Sequence, residues 1–242
     1  MLRRMLAAVM IMAGSPVAAQ VTIRPEVMVG AFQPGFVGEA DEDRYPLRTL
    51  RIGTLNLSSG QLILADPLIL SDRDRPLDLD LPPGRYPVDL AVADTGKGGH
   101  RVALARLLLS DAPPVRWAMA VRKGEDVRTL KGDQVFAYDV DSGTGGFVDA
   151  GARDWLLAQA PEKAEALSED WVARGEAMGP TVGLPHTVFL VEKVGPGGIA
   201  MMSSGWGDGG YASWVGFDTA GRPVQVVTDF AVITAVTIPG RR

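Results

Sequence analysis

Cysteine is absent from all 242 residues. That removes disulfides, thiolate metal sites and cysteine nucleophiles together. Histidine is nearly absent: His100 and His186 are the whole supply. Neither falls in a metal-ligand pair such as H-E-x-x-H. Both stand where a loop meets a strand-like run, so each reads as a strand-end residue. No G-x-S-x-G elbow occurs, which argues against a serine hydrolase of the α/β type. The run GKGG lacks the leading glycine spacing and the following Ser/Thr of a phosphate-binding loop. Lys/Arg blocks are missing apart from Arg241-Arg242, and the formal net charge is −5. Binding to nucleic acid or to an anionic membrane depends on cationic patches, so neither is expected.

What is present begins with a leader. Arg3 and Arg4 give a basic start, Met5 to Ala13 is apolar, Gly14-Ser15-Pro16 breaks any helix, and Val17-Ala18-Ala19 places small residues at the positions a signal peptidase reads. The pattern predicts a signal peptide over 1–19 with cleavage after Ala19. The apolar run is too short to span a bilayer, which takes about twenty residues. No cysteine follows it, so no lipid anchor is expected and no stable membrane anchor remains after cleavage. The arginine pair lacks the flanks of a twin-arginine signal, so folding follows export. The expected location is periplasmic or secreted, and loss of both arginines makes the mature chain more acidic still. It is long enough to bury a core without disulfides.

The mature length, 20–242, suits a single β-rich domain. "TLRIGTLNL", "QLILADPLIL", "YPVDLAVAD", "HRVALARLLL", "VRWAMAV", "QVFAYDV", "HTVFLVEK", "IAMMSS", "YASWVGF" and "PVQVVTDFAVITAVTI" read as strands, by alternation or by β-branched content. The loop "TGKGG" marks a hairpin between the third and fourth. Near 152–177 the composition turns to Ala, Leu, Glu and Trp at helical spacing, split by Pro161, with Asp149 placed as an N-cap. The βαβ alternation of a parallel sheet is missing. The expected fold is mainly β (a β-rich α+β), an antiparallel sandwich or curled sheet with a short helical insertion.

Two triplets, Asp94-Thr95-Gly96 and Asp141-Ser142-Gly143, resemble the paired carboxylates of aspartic proteases. They are too close in sequence and lack duplicated surroundings, and Asp94 reads as the start of a hairpin loop. "DVDSGTGGFVDA" offers Asp139, Asp141 and Asp149 to a cation, but Gly143, Thr144 and Ala150 stand where a calcium loop needs a ligand, a glycine and a glutamate. "SSGWGDGGYASW" is the most distinctive stretch. Asp-Gly and paired glycines suit a tight hairpin turn between "IAMMSS" and "YASWVGF". Trp206, Tyr211 and Trp214 bring rings around it, either to pack over the turn or to line a contact surface.

The runs "IGTLNLSSGQLILADPL", "PPGRYPVDLAVA", "RVALARL", "WAMAV", "YDVDSGTGGFVDA" and "SSGWGDGGYASWVGFDTAGRPVQVVTDF" resemble, in order, the bacterial domain-of-unknown-function family 4241. The closing block is the most specific part. The resemblance implies one domain and supplies no activity. It marks Asp66, Tyr86, Pro87, Asp141, Gly143, Gly145, Asp149, Gly205, Trp206, Gly207, Asp208, Gly209, Tyr211, Asp218 and Asp229 as motif positions, and leaves Asp94 outside them. Members are largely unexported, so the leader is a departure.

The resulting expectation is a non-enzymatic binding or interaction module. Its contact residues would be Trp206, Asp208, Tyr211, Asp141 and Asp149, and its partner a protein or small-molecule ligand. No cofactor or metal is expected. The alternative is a carboxylate-based hydrolase using Asp141, Asp149 and Asp208, which needs two carboxylates within about 5–10 Å of each other. A third reading makes all five residues purely structural. Complete burial of Trp206 and Tyr211 would decide for it.

Overall fold

The computed structural model describes residues 24–238, so the expected leader and its cleavage site lie outside the described residues. The described chain opens on a short helix, α1 (Pro25–Gly30), with proline in its first turn, where the missing N–H costs no intrahelical bond. Strands β1 (Val37–Ala40), β2 (Asp43–Leu57), β3 (Leu62–Ala65), β4 (Gly84–Asp94), β5 (His100–Leu108), β6 (Arg116–Met119), β7 (Ala137–Val140) and β8 (Thr144–Asp149) follow. Helices α2 (Ala150–Leu157) and α3 (Pro161–Thr181) interrupt them. The chain then returns to β9 (Phe189–Val194), β10 (Gly197–Ser203), β11 (Gly209–Phe217), β12 (Pro223–Asp229) and β13 (Ala235–Thr237).

Every ladder is antiparallel. A nine-stranded curled sheet runs β13-β1-β2-β4-β5-β12-β11-β6, with β7 also paired to β11; a four-stranded sheet runs β3-β8-β10-β9. The expected β-rich fold with a helical insertion is what forms. The insertion starts where Asp149 caps α2, its Oδ1 accepting Ala152 N at 3.2 Å, and Pro161 opens α3.

Period-two alternation builds the layers. Along β4, Val88, Leu90 and Val92 enter the core between the sheets, while Ala91 and Ala93 join an outer cluster under α1 with Val27, Met28 and Trp214. Along β10, Ala200 and Met202 face the inner core, and Ile199 and Met201 face the insertion with Trp171 and Leu156. That strand is covered on both faces, which is why it is apolar without a break.

Two expectations are corrected. "IAMMSS" and "YASWVGF" are not a hairpin: β10 lies in the small sheet and β11 in the large one. Nor is the run from Pro223 to Ile238 one strand, because it breaks between β12 and β13. There Asp229 Oδ1 accepts Ala231 N at 2.8 Å, a local turn that competes with the ladder, and Ala231 takes φ 56°.

Burial pushes the Asp229 carboxyl up to about 6, against the pull of the Ala231 N–H and the Arg24 charge. A raised carboxyl means the folded state holds its proton longer than the unfolded chain. The associated stability is therefore full below the ordinary value of 3.8 and is lost as pH rises through about 6. Asp229→Asn keeps the acceptor oxygen and removes the charge. It is expected to stabilise the fold by roughly 1–3 kcal/mol at about pH 8 and to match the parent near pH 4. Thermal melts at the two pH values check this; a variant that melts like the parent, or below it, at the higher pH contradicts it.

Candidate functional site

Two segments of chain turn the same corner side by side. β7 passes into β8 through Asp141–Gly143, and β10 passes into β11 through Ser204–Asp208. β7 pairs with β11 in the large sheet, and β8 pairs with β10 in the small one. Both segments thus leave one sheet for the other together, the usual way a sandwich makes a corner. Ser204 N donates to Gly143 O at 3.0 Å across the bend. Gly143 and Gly205 take φ 68° and 50°, where a side chain is strained. A Cβ on Gly205 would also stand 2.5 Å from the Phe230 carbonyl oxygen.

Asp66 clasps the first bend. It follows β3, is 3% exposed, and accepts four bonds. Its Oδ2 takes Asp141 N at 3.1 Å and Ser142 N at 2.8 Å, and its Oδ1 takes Ser142 Oγ at 2.8 Å and Leu68 N at 3.0 Å. Tyr211 holds the second bend from inside. Its Oη lies 2.7 Å from Gly207 O and 3.1 Å from Ser204 O, and its ring meets Phe230 edge-on at 5.0 Å. Burial pushes the Tyr211 hydroxyl up, and the nearby Asp208 charge adds to it.

This scaffold sends one large ring outward. Trp206 is 57% exposed. It lies across the β4–β5 loop, with the Arg101 guanidinium 5.0 Å from the ring centroid and Gly98 beneath its edge. Asp141 and Asp208 are exposed on the same corner. They are the next residues beyond the last β7–β11 pair, Val140↔Gly209, so continuing the register sets them opposite one another.

The structure therefore gathers Trp206, Asp208 and Asp141, with Tyr211 buried behind them. Asp149 is not among them. It lies at the far end of β8, about 17 Å along the strand from Thr144 at 3.3 Å per residue, and has no exposed surface. Both its oxygens are occupied: Oδ2 accepts Ser59 N at 2.8 Å and Ser59 Oγ at 2.7 Å, and Oδ1 accepts Ala152 N. Asp141, Asp149 and Asp208 thus do not converge on one cleft. Among the described residues no group of three metal-ligating side chains is close enough to hold an ion.

Two participants stand outside the contact set expected from the sequence, although the family resemblance marks Asp66 as a motif position. Asp66 ends an apolar run before Pro67, but nothing local names partners seventy-five and seventy-six residues away. Arg101 reads as an ordinary strand residue beside His100. Its place under Trp206 depends on which sheet β11 joins.

The chain defined by these features is an antiparallel, two-sheet β protein whose glycine-rich corner carries its most distinctive residues. Residues 55–228 match the family model described as Protein of unknown function (DUF4241), and the chain belongs to that family. The match takes in both halves of the corner, Asp66 and the insertion. Neither the curated proteins nor the solved structures contain a match to the chain.

Proposed function

We propose that this protein is an exported, non-enzymatic binding module that presents the sheet-switching corner to a protein partner or ligand. Trp206 is the central contact, and Asp141 and Asp208 form an acidic rim. The observation that carries this reading is the exposure of Trp206 on a rigid support. The surrounding turn is tied by the Tyr211 hydroxyl and by Ser204 Oγ, which donates to Gly207 O at 2.9 Å. Among the described residues Trp206 is the one aromatic side chain in the set of exposed large apolar residues, and its ring stays more than half exposed although it rests on Arg101. Tryptophan is enriched among the residues that dominate binding energy, because it buries much area at little cost in side-chain freedom. Carboxylates at the rim act mainly on partner choice and association rate.

A photo-reactive benzoylphenylalanine at position 206, compared with one at exposed Lys131, tests the reading in the producing cells. The expected result is a discrete adduct from 206 alone, recovered on chain lacking residues 1–19. Trp206→Ala should melt within about 2 °C of the parent, since exposed substitutions rarely exceed 0.5 kcal/mol. Equal labelling from both positions, or none from 206, overturns the proposal.

A further inference from the structure

A second surface, away from the corner, has the properties of a small-molecule site. A cleft of about 460 Å³ opens beside the β11–β12 turn and the start of β4. That volume lies within the range of small-ligand pockets. Tyr86 and Leu109, which pack against the inner core, form its apolar wall with Leu81 and Pro223.

Its polar groups are mostly occupied. Asp218 organises the β11–β12 turn: Oδ1 accepts Ala220 N and Arg222 N, both at 2.9 Å, and Oδ2 accepts Arg222 Nε at 2.9 Å and Nη2 at 2.8 Å. The Arg222 backbone N–H is the foremost cause holding its carboxyl below the usual range. The charges of Asp218 and Arg222 thus offset each other within the loop, and what the pair leaves toward the cleft is an oriented N–H donor rather than a net charge. Asp80, on another wall, accepts Gln61 Nε2 at 2.8 Å. The Tyr86 hydroxyl donates to Pro82 O at 2.6 Å.

Arg222 is different. The bonds that engage Asp218 hold its guanidinium in one orientation, while the side chain remains 77% exposed. Its Nη1 has no hydrogen-bond partner among the described residues. A guanidinium fixed by a carboxylate is prepared to meet a planar anion, because the ordering cost has been met before the ligand arrives. We propose that this cleft binds a small organic carboxylate with an apolar body. The carboxylate meets Arg222 Nη1, and the body lies on Tyr86 and Leu109. The proposal is independent of the corner.

Octanoate is the probe, titrated calorimetrically into the mature chain at low ionic strength, with octanol and octylammonium as controls. Saturable one-to-one binding of octanoate, tighter than either control, is expected. Arg222→Gln should weaken it at least about tenfold, the scale of a lost charged hydrogen bond. Ala112→Trp, which fills the cleft and leaves the Asp218–Arg222 pair in place, should abolish it without lowering the melting temperature. Absence of saturable binding at millimolar octanoate overturns the proposal. So does octanol or octylammonium binding as tightly, or octanoate affinity surviving in folded Ala112→Trp.

Discussion

Replacing Asp66 by alanine is expected to cost about 3–4 kcal/mol and to lower the melting temperature by roughly 6–16 °C. The side chain is buried and accepts four bonds, and its loss removes the acceptor that ties Leu68 N and the exposed bend at Asp141 N and Ser142 N to the end of β3. A hydrogen bond to a charged group contributes about 1.5–3 kcal/mol, so the loss of several together accounts for the expected cost. Asp66→Asn keeps one carbonyl oxygen but sets an NH₂ against donors, so an intermediate loss is expected. Because β7–β8 and β10–β11 bend together, damage should cross from one to the other. Amide exchange should accelerate more at 141–144 and at 203–208 than in α3. An unaltered melting temperature, or exchange accelerated only at 141–144, would show that the two bends are not one unit.

How far the sequence could be read is settled by particular residues. Local signals were legible. The 3.6-residue pattern marked the insertion to within a few residues, and Asp149 was recognisable as a cap because its acceptor serves an N–H three residues on. Asp94 was recognisable as a loop residue for the same reason, its Oδ1 accepting Gly96 N at 3.0 Å. The path of the strands after each turn was not legible. Asp208-Gly209 and the paired Gly209-Gly210 announce a bend, but the same residues serve a hairpin and a change of sheet. The difference lies in what β10 and β11 pair with, and those partners, β8 and β12, are named by no nearby residue.

The candidate site divides along the same line. That Trp206, Asp208 and Asp141 belong together followed from their glycine-rich settings, and the two turns do meet. That Tyr211 turns inward while Trp206 turns outward follows from the corner: Tyr211 begins the alternation of β11 toward the inner core, and Trp206 sits on the turn before that alternation starts. Asp149 shares a loop motif with Asp141 only on paper, because β8 is extended and carries the two apart. Alternation within a strand, once its pairing is known, decides the side of every residue. Before that, only the spacing can be seen.

Asp89→Ala is expected to cost about 3–5 kcal/mol at neutral pH, through a different part of the molecule. Asp89 lies on the outer face of the large sheet, 2% exposed, in a cross-strand row with Arg51 and Arg106. Arg51 Nε reaches Oδ1 at 2.8 Å, and Arg106 Nη2 reaches Oδ2 at 2.6 Å. Burial alone pushes this carboxyl up, but the bonds from Arg51 and Arg106 outweigh it and hold it below the usual range. Its stabilisation is therefore present above the ordinary value of 3.8 and is lost as pH falls through the lower folded value. Removing Asp89 frees Arg51, which is 56% exposed and turns to water, but strands Arg106, whose side chain is only 18% exposed and stacks on Phe32 at 4.2 Å. The unpaired Arg106 charge accounts for most of the expected loss. Asp89→Leu combined with Arg106→Met should recover most of the stability, because a buried ion pair exchanged for apolar side chains of similar volume is often neutral. Denaturant melts from neutral pH down to about pH 2 separate this account from simple packing. If the loss is electrostatic, the gap between Asp89→Ala and the parent narrows as the parent's carboxylate takes up its proton. A gap that stays constant over that range would mean that Asp89 acts by filling space.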